Sequence, residues 1–172
     1  MAEIVIQRFN AKAIRAHRSG LVDLLRDAVE NGASVSFLPP LSEHDALAWW
    51  LKVAEQVLTE ERIVIVATQA DRVVGCVHVV PATVPNGVHR AEVQKVLVHT
   101  EARRQGIARQ LMVEMEQIAR EAGIKLLMLD TVKDSAGEQL YQGLGWTKIG
   151  VVPRFALLDG YLIDTVYYYK EL

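Results

Sequence analysis

The sequence predicts one α/β domain built on a mixed sheet. Three observations carry this. The chain has 172 residues, enough for one domain to bury a sizeable core. Its composition, 51% hydrophobic and 23% charged, suits a globular protein. Its apolar residues switch repeatedly between strand-like runs and helical spacing, in the order β-α-α-β-β-β-α-β-α-β-β. No repeat, linker or low-complexity segment divides the chain, so a single domain is expected over residues 1–172.

Glu3–Phe9 alternates, with Ile4 and Ile6 on one face, and reads as a short strand. Leu21–Glu30 has helical spacing and stops at Asn31-Gly32. Residues 32–41 form a loop, because Pro39-Pro40 forbids a helix. Ser42, with Asp45 three residues on, caps a second helix running to about Thr59. Arg62–Thr68 and Val73–Val80 are β-branched strands. Pro85-Asn86-Gly87 reads as a hairpin turn into a strand over His89–His99. A helix follows from Gly106 to Ala122, closed by Gly123. Ile124–Thr131 is a strand, Ser135–Leu144 a helix, and Trp146–Val151 and Leu162–Tyr169 are final strands.

Several functions are disfavoured at this level. The net charge of −2 is no footprint of a nucleic-acid binder. No apolar run approaches the length of a membrane span. The stretch MAEIVIQRFNAK lacks the apolar core of a secretion signal, which makes the cytoplasm the expected compartment. Cys76 is the only cysteine, so no internal disulfide forms, and it is expected to be a small core residue. The five histidines show no metal-ligating spacing, and no metal is expected. No Gly-x-Ser-x-Gly hydrolase elbow occurs.

Residues 103–110, RRQGIARQ, stand at a strand–helix junction without the usual Ser, Thr, Asp or Asn cap. A helix start exposes free N–H groups and the positive end of the dipole. Gly106 lets an anion approach the backbone, Ala108 stays small, and Arg103, Arg104 and Arg109 add charge. This is the chemistry of a diphosphate cradle. A solvated basic corner is the alternative. It is neither a Walker loop, which ends in Gly-Lys-Ser/Thr, nor a complete dinucleotide fingerprint.

Arg103-x-x-Gly106-x-Ala108 resembles the Q/R-x-x-G-x-G/A motif of the GCN5-related N-acetyltransferases. The surroundings resemble that family too. A strand (AEVQKVLV) precedes the motif and another (LLMLDT) follows its helix. DSAGEQLYQGLGWTKIG is similar to the family's N-x-x-A-x-x-x-Y-x-x-x-G-F segment, with Tyr141, Gly145 and Trp146 in matching slots. Asp134 stands where asparagine is common, and Gly137 where alanine is common. GASVSF, PNGVHRAEVQKV and LMLDT further resemble the tabtoxin-resistance branch. The resemblance covers essentially the whole chain. It implies a mixed, mostly antiparallel sheet flanked by helices, and acetyl-CoA as cosubstrate without a metal. It implies that residues 103–109, including the backbone of Gln105 and Ile107, hold the diphosphate. The Val96 N–H would polarise the thioester carbonyl. Val98, beside Leu97, would bond the pantetheine arm, and Asp134, Gly137 and Tyr141 would line it. The implied acceptor is the amine of a small molecule, such as an amino-acid-like toxin.

Three side chains are candidates for the chemistry. Strand alternation would put Glu92, Gln94, Val96 and Val98 on one side. Two polar groups on a central strand are costly unless something polar meets them. A solvated strand end, or a salt bridge to Arg90 or Lys95, would satisfy Glu92. By resemblance, Glu92 is the general base that removes the proton from the substrate ammonium. Asp130 is the alternative base, or else a cap for the turn into Asp134–Gly137. Tyr141 is either a packing residue or, by family position, the proton donor to the departing thiolate. The acceptor pocket is expected under the two predicted helices Leu21–Glu30 and Ser42–Thr59 and the loop 32–41, with a Pro153–Tyr161 loop closing another side. Trp49-Trp50 are read as packing, with one of them available to that pocket. Of Tyr167, Tyr168 and Tyr169, one face would be core and the other a homodimer contact.

Overall fold

The computed structural model describes residues 3–172; Met1 and Ala2 of the expected domain lie outside the described residues. Seven strands form one sheet: β1 (Ile4–Phe9), β2 (Ile63–Gln69), β3 (Arg72–Pro81), β4 (Arg90–Val98), β5 (Leu126–Val132), β6 (Thr147–Leu158) and β7 (Tyr161–Glu171). Their order is β1-β2-β3-β4-β5-β7-β6. Every pairing is antiparallel except β4 with β5. The α-helices are α1 (Ala11–Ala16), α2 (Arg18–Glu30), α3 (Glu43–Leu58), α4 (Ile107–Glu121) and α5 (Ala136–Gly143).

The central strands are buried on both faces, which is why β2 and β3 read as continuous apolar runs. Ile63, Ile65 and Ala67 face one core, where Leu111, Met112 and Met115 of α4 pack. Val64 and Val66 face the other, filled by Leu21, Leu24, Trp50 and Val53 from α2 and α3. Burying each such side chain contributes about 1.5–3 kcal/mol. Among the described residues, no helix is long and apolar enough to cross a membrane.

Several local expectations are corrected. α1 was not anticipated; Asn10 caps it by accepting from Ala13 N–H at 2.8 Å, and Ala11 and Ile14 are its buried anchors. The Ser42 cap forms as expected, accepting from Asp45 N–H at 3.0 Å. Pro85–Gly87 is a 3-10 turn within a longer β3–β4 connection, not a two-residue hairpin turn. β6 and β7 are longer than predicted. Most of Pro153–Tyr161 is therefore strand, with Ala156–Leu158 paired opposite Tyr161–Ile163 and only a tight turn between.

The fourth correction shapes the site. In the β3–β4 register Cys76 opposes Leu97 but His78 opposes Gln94. Lys95 and Val96 together face Val77, a β-bulge. Lys95 has φ 53°, a left-handed conformation unusual for a side-chain-bearing residue. The extra residue inverts the alternation. Glu92 and Gln94 stay on the α2–α3 side, while Val96 and Val98 pack towards the α4 core. The four residues do not share one face.

Candidate active site

β4 and β5 pair only from Arg90 with Leu126 to Glu92 with Met128. Beyond that point the parallel strands are no longer paired, and the bulge lies in this unpaired part of β4. The gap is a cleft of about 970 Å³. Val96, Val98, Ala108, Thr131, Gly137 and Tyr141 line it, as do Ser34–Leu38 and Phe155–Leu158. Glu92 and Asp130 border this cleft and also a second hollow of about 480 Å³ beside Gln56, Glu61 and Tyr167.

One end of the cleft is the start of α4. Its cap residue, Gly106, has φ 77° and makes no side-chain cap bond. A Cβ there would meet only Gln110 Nε2, at 3.9 Å, so the space before the helix is open. The glycine thus serves a left-handed turn as well as close approach. Arg104 also turns through a positive φ, of 66°. Arg103 and Arg104 are exposed, and Arg103 Nε donates to Val98 O at 3.3 Å. Arg109 is tethered by donating to Gly143 O at 3.2 Å, at the end of α5. Gln105 accepts from Gln69 Nε2 at 3.3 Å. Ile107 and Leu97 are buried in the two cores, so only their backbones are available to the cleft. Asp134 is turned outward against Lys133 Nζ at 3.3 Å, which removes its side chain from the lining.

Gly137 has a local reason to replace alanine. A Cβ would lie 2.8 Å from Thr131 Oγ1. Gly137→Ala is therefore expected to destabilise the fold by about 1–3 kcal/mol despite its gain in helix propensity. Chemical denaturation checks this; an unchanged midpoint would show that Thr131 moves aside freely.

The salt bridges considered for Glu92 do not form: neither Arg90 nor Lys95 pairs with it among the described residues. Asp130 caps nothing either. Ser135 caps α5 by accepting from Glu138 N–H, and Glu138 Oε2 accepts from Asp134 N–H at 2.7 Å. Burial among the cleft walls, then the charge of Glu92, holds the Asp130 carboxyl above the usual carboxylate range. Tyr141 is 6% exposed, packed on Trp146 and Tyr168, and its hydroxyl bonds no described residue. Burial, then Asp130, pushes its phenol upward, so it stays protonated and able to donate. Cys76 is fully buried, and burial pushes its thiol up to about 12, consistent with a core residue. Tyr168 is core, whereas Tyr167 lines the second hollow.

A polar cluster on the α3 side was not read from the sequence. Arg62 donates from Nε to Gln56 Oε1 at 2.9 Å and from Nη1 to Gln94 Oε1 and His78 Nδ1, both at 3.1 Å. Arginine only donates, so His78 Nδ1 accepts and its hydrogen sits on Nε2. Burial, then Arg62 and Lys95, keeps His78 neutral. His78 stacks on Trp49 at 5.7 Å. Lys95 Nζ lies 5.7 Å from the Trp49 ring centre and 6.0 Å from that of Phe37. Trp50 is core; Trp49 is the tryptophan that faces the cluster. The one available signal was the juxtaposition of Lys95 with Gln94 on a central strand. The residues otherwise come from separate elements.

The site thus sits where the one parallel pair of an otherwise antiparallel sheet splays apart, with a helix start that lacks a side-chain cap and two carboxylates on its border. The acetyltransferase (GNAT) family profile matches residues 23–146, and the chain belongs to that family. It is an acyltransferase by that membership. The fold resembles an N-acetyltransferase from Staphylococcus aureus Mu50, with TM-score 0.82, 19% identity and 99% of each chain covered. It also resembles a ribosomal-protein-alanine N-acetyltransferase from Brucella melitensis, with TM-score 0.80, 23% identity and 98% and 99% covered. A third likeness is to yncA of Salmonella typhimurium, solved with its cofactor acetyl-CoA: TM-score 0.81, 18% identity, 99% and 95% covered. At these identities the likeness is one of fold.

Proposed function

We propose that the protein transfers an acetyl group from acetyl-CoA to the amine of a small molecule by direct attack with both substrates bound. The observation that carries this is the splaying of β4 from β5. It opens one continuous cleft from the α4 start to Glu92 and Asp130. The residues present fit acetyl-CoA: open space before Gly106, unpaired helix N–H groups, and an apolar slot between Val96, Val98 and Leu140. Residues 103–109 would hold its diphosphate, and β4 beyond the bulge its pantetheine arm. When bound, it supplies an acyl thioester ready for attack by an amine.

The chain's own groups do the rest. Lys95 and Val96 stand at the bulge opposite Val77, and the Val96 N–H is the donor assigned to polarise a carbonyl in the gap. Glu92 takes the proton from the acceptor ammonium, directly or through water. Asp130 flanks it. Tyr141, kept protonated by burial, donates to the departing sulfur. Tyr141→Phe keeps the ring packing and removes only the hydroxyl. Stability should then shift by about 0.5–1.5 kcal/mol at most, while turnover falls. Melting temperature and turnover of Tyr141→Phe and Tyr141→Ala separate this role from packing. Full activity in the Phe variant would leave solvent as the proton source.

A second copy of the chain is the partner that suits the edge strand β6. Ile149, Phe155 and Leu157 are each about half exposed along an unpaired edge, which soluble monomers usually shield. The role this reading leads to is inactivation of an amine-bearing toxin or antibiotic in the cytoplasm.

A further inference from the structure

Arg62 and Lys95 form no close ion pair among the described residues; Glu92 attracts both, and Asp130 attracts Lys95, from beyond salt-bridge distance. Arg62 is held by neutral partners only, and no carboxylate pairs with it among the described residues. Lys95 has two aromatic faces and a weak contact to Ser36 Oγ at 3.5 Å. Both lie partly buried, and burial, then Arg62, draws the Lys95 ammonium below the ordinary lysine range. Holding such charges away from water is costly unless a binding partner supplies the missing anion. The fold also spends strain here, since Lys95 is the left-handed residue of the bulge.

Their position indicates which partner. Lys95, Gln94, Phe37 and Glu92 line the same cleft as Asp130. The cleft thus carries two carboxylates, Glu92 and Asp130, suited to an amine. It also carries Lys95, with Arg62 bonded to the lining residue Gln94, suited to an anion. A simple cationic amine would answer the two carboxylates and leave Lys95 unmatched; an amine with its own anionic group would answer both signs of charge.

We propose that the acceptor carries a carboxylate or similar oxyacid group beside its amine, and that Lys95, backed by Arg62, binds that anion and so sets acceptor specificity. This rests on the acetyltransfer reading above and adds the acceptor class. Arg62 is placed by Gln56, His78 and Gln94, and neutral His78 serves as its fixed acceptor. Trp49 and Phe37 shape the slot around the lysine.

The test uses a panel of α-amino acids and their amides, which differ in the anion alone at that end. Binding is read by calorimetry with coenzyme A present, and catalysis by thiol release from acetyl-CoA. The acids should bind and react better than their amides by about tenfold or more. Lys95→Met should erase that preference without changing acetyl-CoA affinity, and Lys95→Arg should retain part of it. Amides matching acids in the wild type, no panel acid binding, or Lys95→Met weakening acids and amides alike would overturn the proposal. Thiol release with amines that lack an anion, and with no acid, would sink this inference while leaving acetyltransfer standing. Lys95-dependent binding of acids without thiol release would support the anion site and remove the catalytic reading.

Discussion

Gly106→Val is expected to weaken acetyl-CoA binding about 10²-fold or more. Gly106 caps α4 at φ 77° with open space before it. A β-branched side chain is strained at that φ and would occupy the space where a phosphate meets the backbone. Charge-assisted hydrogen bonds contribute about 1.5–3 kcal/mol each, so losing two accounts for that factor. Arg104→Ala should cost less, because the backbone donors remain. Calorimetry with acetyl-CoA, beside a melting curve for each variant, reads the result. Unchanged affinity in a folded Gly106 variant would remove the basis for the cradle.

Glu92→Gln is expected to lower the maximal rate about 10²-fold or more with acetyl-CoA affinity nearly unchanged. The substitution keeps the shape and hydrogen bonding of the side chain and removes its basicity. Asp130→Asn should have the smaller effect. Asp130 is nevertheless the rival, because it borders both hollows and burial, then Glu92, raises its carboxyl. Rates measured for both variants across pH settle the assignment. A silent Glu92→Gln beside a crippled Asp130→Asn would exchange the two roles.

The sequence showed the helix start at Gly106, the flanking strands and the Tyr141 helix because each depends on local signals: a missing cap, β-branched runs, helical spacing. It did not show the bulge. One extra residue leaves no mark in composition, and Lys95 is not the glycine a left-handed turn would advertise. That single insertion puts Glu92 and Val96 on different faces of β4. α1 was missed because its evidence is a cap and two buried side chains, Ala11 and Ile14, in an otherwise polar stretch. β6 was read as ending at Val151, ahead of Pro153, yet its pairing with β7 resumes at Ala156 after a register break. The Arg62–His78–Gln94 cluster was out of reach for another reason. Its members stand far apart in the chain, and only the β2–β3–β4 register brings them together.

The central claim is that the splayed β4–β5 cleft performs acetyl transfer to an amine. The most direct measurement is thiol release from acetyl-CoA across a panel of amines, with mass spectrometry of the product. The account predicts amine-dependent release and a product heavier by one acetyl group, both strongly reduced in Glu92→Gln. Tight binding of acetyl-CoA with no amine accelerating thiol release would contradict it and make the protein an acyl-CoA sensor.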